Sequence, residues 1–166
     1  VIWPGGHCLG NLLLTAAIFR SSGDMKNRPP GPDSIAAGID MISRAIGATP
    51  GCLHPAMSSP AQLVLRYSNG VAVRGQSKSA TARRLLPIDR VAVECRDSLE
   101  VNEAACNAIR EADLIIFAPG SLYTSIMPIL QSAPVVQAIR DNRKALKLLG
   151  ANFWVQAGET DISRRR

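Results

Sequence analysis

One segment limits the architecture more than any other: Asp113-Leu114-Ile115-Ile116-Phe117, followed at once by Ala118-Pro119-Gly120-Ser121. Four consecutive apolar residues without alternation, closed by a Pro-Gly turn, describe a central strand buried on both faces, and such strands belong to parallel sheets covered by helices. A parallel neighbour needs a crossover, so helical segments must lie nearby in sequence. Ahead of the strand, Asn102 to Ala112 carries Ala105, Ile109 and Ala112 on one helical face. Behind it, Ser125 to Leu130 and Pro134 to Arg140 read as short helical pieces, with Pro134 a natural first helical residue. A last strand is expected within Leu146 to Gln156.

The N-terminal part fits the same class. Asn11 to Phe19 is apolar nearly all round, as expected of a buried helix lying under a sheet. Residues 24 to 33, with three prolines, read as an exposed loop. Ile35, Ile39, Ile42 and Ile46 then recur at helical spacing, with Asp33 or Ser34 as N-cap and Gly47 as the stop. Leu63 to Tyr67 and Val71 to Arg74 flank Asn69-Gly70, which predicts a hairpin with a type I′ turn. Val91, Val93 and Cys95 alternate with Ala92 and Glu94, as in a half-buried strand. The expected fold class is therefore α/β with a hairpin insertion.

At 166 residues the chain is within the range of a single domain, residues 1 to 166. Its opening on Val1-Ile2-Trp3-Pro4 and its end on Arg164-Arg165-Arg166 read as those of a fragment of a longer domain. With 46% hydrophobic residues it is too apolar for a disordered tail. No run approaches the roughly 18 to 20 apolar residues that span a bilayer, and no basic segment precedes an apolar one at the start, so the expected location is the cytoplasm. A net charge of +6 suits an anionic ligand, a phosphate-bearing metabolite as readily as nucleic acid. Arg140, Arg143, Lys144 and Lys147 have no aromatic residues interleaved with them, so they read as a solvated basic face and no nucleic-acid partner is expected. Cys8, Cys52, Cys95 and Cys106 form no C-x-x-C pair and complete no zinc spacing with His7 or His54. They are expected to be small buried thiols, and no metal site is expected.

Three places carry candidate chemistry. Gly120-Ser121-Leu122-Tyr123-Thr124-Ser125 leaves the carboxyl end of the apolar strand, the edge at which open α/β sheets bind ligands. Gly120 lets backbone approach a phosphate, while Ser121, Thr124 and Ser125 supply hydroxyls. The same residues also serve as ordinary turn chemistry. Gly6-His7-Cys8-Leu9-Gly10 has the form of a cysteine nucleophile elbow, but no full strand precedes it. A glycine-rich turn with Cys8 filling space explains it better, and Gly6, His7, Gly10 and Asn11 can line a ligand pocket at the helix start. Glu159 and Asp161 flank Thr160 in a turn where carboxylates hold either a ribose hydroxyl, a divalent ion or only water.

Gly6 to Leu14, Glu111 to Ile126 and Gln156 to Asp161 together resemble the YvcK/CofD-like family, and the likeness covers nearly the whole chain. Ala118 and Ala157 stand where that family commonly has Gly and Pro. The resemblance implies a Rossmann-like three-layer α/β/α fold with a mainly parallel sheet and a ligand lying across its carboxyl edge. Gly6, His7, Gly10 and Asn11 would line one wall and Gly120, Ser121, Leu122, Tyr123, Thr124 and Ser125 another, with Glu159 and Thr160 as further contacts. One branch of the family transfers a phospholactyl group from a guanylyl donor to a deazaflavin alcohol with Mg2+. The other is linked to gluconeogenic growth, cell shape and envelope synthesis, and binds UDP-N-acetylglucosamine. Ser121-Leu122-Tyr123-Thr124-Ser125 resembles the second branch, which implies a nucleotide-sugar or phosphorylated nucleotide as ligand and no certain cofactor, Mg2+ entering only for a transferase. It also leaves room for a homo-oligomer.

Overall fold

A computed structural model describes residues 8–23, 30–75, 86–95 and 100–153. The chain divides into two compact units, Val1–Ser58 and Ser59–Arg166. The described helices and sheets, one of them parallel, place the chain in the α/β class. None of the described helices is long and apolar enough to cross a membrane.

The first unit is built on two packed helices, α1 (Leu9–Ser22) and α2 (Pro32–Ala45). Helix α2 follows its isoleucine period, but its N-cap is Gly31 with Pro32 in the first turn, two or three residues before the polar caps expected from sequence. Proline explains the shift, since its fixed φ and missing N–H suit the first helical position. At the other end, Gly47 takes a left-handed φ of 76°, its N–H donates to the Arg44 carbonyl and that of Ala48 donates to Ser43. This is a Schellman motif, and it makes Gly47 the stop that the sequence indicates.

Helix α1 departs from expectation. Only Ala17 is buried, while Leu9 and Leu13 are about half exposed at 55% and 52%. A helix apolar on all sides needs neighbours on all sides, and α2 covers a single stripe of it. That stripe is tight: a Cβ built on Gly38 would stand 2.5 Å from Ile18 Cγ1 and 2.6 Å from its Cα. Because the obstacle is backbone, the helices must separate to admit even a methyl group. Gly38→Ala is therefore expected to destabilise this helix pair by about 1 to 2 kcal/mol despite the higher helix propensity of alanine, read as a lowered denaturation midpoint.

In the second unit, β1 (Ala61–Tyr67) is the centre of an antiparallel sheet, with β2 (Ala72–Arg74) on one side and β3 (Ile88–Cys95) on the other. As the central strand it buries Val64, Leu65 and Tyr67. The hairpin lies where Asn69-Gly70 puts it, but not with a type I′ turn. Gly70 alone in the loop has positive φ, at 81°, the Gly70 N–H donates to Tyr67 O, and the Tyr67 N–H donates to Val71 O. A three-residue loop with a left-handed glycine after the turn is the bulged form of hairpin, which needs no positive φ at asparagine. Asn69 instead accepts from the Val71 N–H through its side chain.

Downstream, α3 (Glu103–Glu111) is capped by Asn102, whose side chain accepts from the Ala104 N–H at 3.0 Å. Arg110 pairs with Glu103 at 2.7 Å, and this hydrogen bond raises the guanidinium pKa above its ordinary value. Strand β4 (Leu114–Phe117) pairs in parallel with β5 (Leu146–Leu149), and α4 (Ala133–Asp141) lies in the crossover. Helices α3 and α4 meet through Cys106, Val135 and Ala138. The expectation that β4 is buried on both faces is not met. The register sets Leu114 beside Leu146 and Ile116 beside Leu148, and these four side chains are between 45% and 61% exposed. A sheet of two strands cannot shield its own faces.

The thiols are also less uniform than expected. Cys106 is buried between α3 and α4, Cys95 is half-buried, and Cys8 and Cys52 are exposed. All four are free, and among the described residues no three His, Cys, Asp or Glu side chains gather as metal ligands.

Candidate functional site

The chain leaves β4 through Ala118, Pro119 and Gly120 and enters a π-helical turn, Leu122–Ile126, which runs on into one α-helical turn, Met127–Ile129. Sequence periodicity indicates helix here but not the wider winding. The π register is carried by Ile126 N–H donating to Ser121 O at 3.1 Å and Met127 N–H donating to Leu122 O. Such turns are uncommon and gather at functional sites.

Ser121 is the capping residue. Its Oγ accepts from the Thr124 N–H at 3.0 Å and from the Thr124 hydroxyl at 2.6 Å, and the residue is buried. Ser121 and Thr124, both expected as oxyanion ligands, therefore spend hydrogen bonds on each other and give the turn its shape. Ser125 is exposed, and its N–H donates to Ser121 O. Tyr123 has a packing role, lying with Met127 against Leu65, Tyr67 and Val91 of the antiparallel sheet. Leu122 is exposed. The turn is thus fastened below by an aromatic ring and open above. Ser121→Ala should lower stability by about 1 kcal/mol through the lost cap and weaken a phosphate ligand roughly two- to twelve-fold; melts and titrations on one sample check both.

Gly120 is open. A Cβ built on it would meet only Ser125 Cβ, at an ordinary 3.8 Å, and its φ is not left-handed. Its carbonyl accepts from Asn152 Nδ2 at 2.5 Å. Just before Asn152, the Gly150 N–H donates to Phe117 O at 2.8 Å, and a Cβ on Gly150 would stand 2.8 Å from Pro119 Cδ. The end of β5 thus lies directly against the exit from β4. Sequence reading did not find these two contacts, because neither Gly150 nor Asn152 belongs to a recognisable motif.

The other expected wall is in the first unit. Gly10 and Asn11 lie in the first turn of α1, both exposed, and the Asn11 carbonyl accepts from the Thr15 hydroxyl. Gly6, His7, Glu159 and Thr160 fall outside the described residues. Cys8 is the N-cap of α1, extended at φ −67° and ψ 142°, with no side-chain capping bond. Its expected role as a space-filler is corrected by its exposure. An extended N-cap suits an oxygen side chain, so Cys8→Ser should stabilise α1 by about 0.5 to 1 kcal/mol in thermal melts and leave ligand binding intact.

The family model described as 2-phospho-L-lactate transferase CofD matches residues 4–165. The chain belongs to the CofD family. Within it, the chain is 35% identical over 156 residues to the gluconeogenesis factor of Halalkalibacterium halodurans, covering 94% of this chain and 44% of the relative. Against the gluconeogenesis factor of Listeria innocua it is 33% identical over 162 residues, with 95% and 44% covered. A crystal structure from Bacillus halodurans, described as a member of the UPF0052 family, superposes with a TM-score of 0.73 at 35% identity, covering 94% of this chain and 46% of that one. The chain therefore spans less than half the length of the relatives it matches, and the family resemblance read from Gly6 to Leu14 and Glu111 to Ile126 is upheld by these matches.

Proposed function

We propose that the protein of which this chain forms at least a part binds a nucleotide-sugar of the UDP-N-acetylglucosamine class, as a gluconeogenesis factor that regulates central carbon metabolism and envelope synthesis. The observation that carries the reading is the open backbone at Gly120 above a turn fixed by Ser121 and Thr124 at the carboxyl end of a parallel strand. Open α/β sheets bind nucleotides at that edge, and backbone amides with small side chains there accept a diphosphate. Relatives named gluconeogenesis factor support this reading over a transferase one. Isothermal titration of the protein with UDP-N-acetylglucosamine is the test. Saturable binding is expected, and no heat from any uridine or guanosine diphosphate compound at millimolar concentration would refute it.

The family model's own description favours a second reading, phospholactyl transfer to a deazaflavin alcohol. That chemistry calls on Mg2+ to neutralise phosphate charge. Among the described residues no three ligating side chains come together to hold the ion. Magnesium-dependent release of GMP from a guanylyl donor would establish this reading and displace the first.

A further inference from the structure

The aromatic residues described in the second unit are Tyr67, Phe117, Tyr123 and Phe153. The first is buried, Phe117 is a half-buried strand residue, and Tyr123 packs against the antiparallel sheet. Phe153 alone among them is fully exposed, at 100%. A bare benzyl group in water is unfavourable by itself, and its place is not arbitrary. Its neighbour Asn152 is hydrogen-bonded to the Gly120 carbonyl, and Gly150 is bonded to Phe117 and lies against Pro119. Phe153 is therefore one residue, about 3.8 Å of backbone, beyond an anchor on the very turn that offers its backbone to a phosphate.

We infer that Phe153 is the stacking platform for the planar base of a nucleoside diphosphate whose phosphates rest on the Gly120 to Ser125 turn. This deepens the reading above and rests on it. Turn and ring divide the ligand between them. The Ser125 hydroxyl and backbone amides take the charged end, and the exposed ring takes the flat, weakly polar end. A π-face stacks on any base, so the ring supplies affinity for nucleotides as a class, with little choice between uracil and guanine. Asn152 has a positioning role: by fixing the Gly120 carbonyl it holds ring and turn at a constant separation.

The experiment compares UDP, GDP and inorganic pyrophosphate by titration on the unaltered protein and on Phe153→Ala, Phe153→Tyr and Asn152→Ala. Phe153→Ala should weaken UDP and GDP alike by roughly 10-fold, leave pyrophosphate unchanged, and keep its melting temperature because the ring is exposed. Phe153→Tyr should restore binding. Asn152→Ala should weaken the nucleotides more than pyrophosphate. Unaltered UDP affinity in Phe153→Ala would overturn the inference while leaving the proposed function standing, and so would an equal fall for pyrophosphate. Failure of the unaltered protein to bind any of the nucleotides would refute the proposed function itself, and the stacking role with it.

Discussion

Replacing Gly120 by valine is expected to weaken nucleotide binding on the order of 100-fold in a protein that melts as before. Glycine is normally kept for one of two internal reasons, a left-handed φ or a crowded backbone, and neither holds here. The single neighbour a Cβ would meet is Ser125 Cβ at 3.8 Å, an ordinary contact. The Asn152 bond is made to the carbonyl, which valine retains. Stability should therefore change by no more than about 0.5 kcal/mol. A ligand is affected differently, because two methyl groups would stand where its phosphate meets the amides. Losing two hydrogen bonds to a charged oxygen, at about 1.5 kcal/mol each, lowers affinity on the order of 100-fold. Titration with UDP-N-acetylglucosamine beside thermal melts separates the effects. Full affinity in a well-folded variant would remove this turn from the site. A lowered melting temperature would show that glycine serves the turn instead.

What the sequence makes legible here is whatever one segment decides for itself. The period of Ile35, Ile39 and Ile42 and the glycine at 47 define α2 and its Schellman end without help from elsewhere. Asn69-Gly70 locates the hairpin, but the turn type depends on whether the Tyr67 N–H reaches the Val71 carbonyl, and strand pairing decides that. Leu114 to Phe117 reads correctly as a strand with a parallel partner. Its exposure could not be read, because an apolar run records what a sequence is suited to bury, not which neighbours this chain provides. Gly120 to Ser125 was legible as the turn that leaves the carboxyl end of β4, though its π-helical winding was not. Its internal Ser121 and Thr124 bonds, which turn two expected ligands into structural caps, were not. Asn152 lies 32 residues from its partner and carries no local pattern. Polar side chains that bridge distant backbone are the least legible class, and Asn142 is the clearest case.

Asn142→Ala is expected to be the most destabilising of the substitutions considered, at about 3 to 5 kcal/mol in chemical denaturation. The residue is 5% exposed and directs its whole amide inward. Nδ2 donates to Ile109 O at 2.8 Å and Ala112 O at 2.7 Å, at the end of α3, while Oδ1 accepts from the Ala145 N–H at 3.1 Å. Helix ends leave carbonyls without helical partners, and here one side chain serves two of them while setting the entry to β5. Truncation would leave one buried N–H and two partly buried carbonyls without this partner, the buried group alone costing about 1 to 3 kcal/mol. The near-isosteric Asn142→Asp distinguishes hydrogen bonding from packing. An ionised carboxylate cannot donate, and it would face two carbonyl oxygens, so its folded-state pKa should rise above the unfolded value near 3.9. A raised carboxyl pKa means that the folded state holds the proton more tightly. The aspartate variant's deficit relative to the unaltered protein should therefore be smallest below that unfolded value and grow as pH rises through the folded one. The alanine variant has no such group, and its deficit should not follow that course. An alanine deficit with none for aspartate at any pH would show that Asn142 fills space rather than binding the end of α3 to the start of β5.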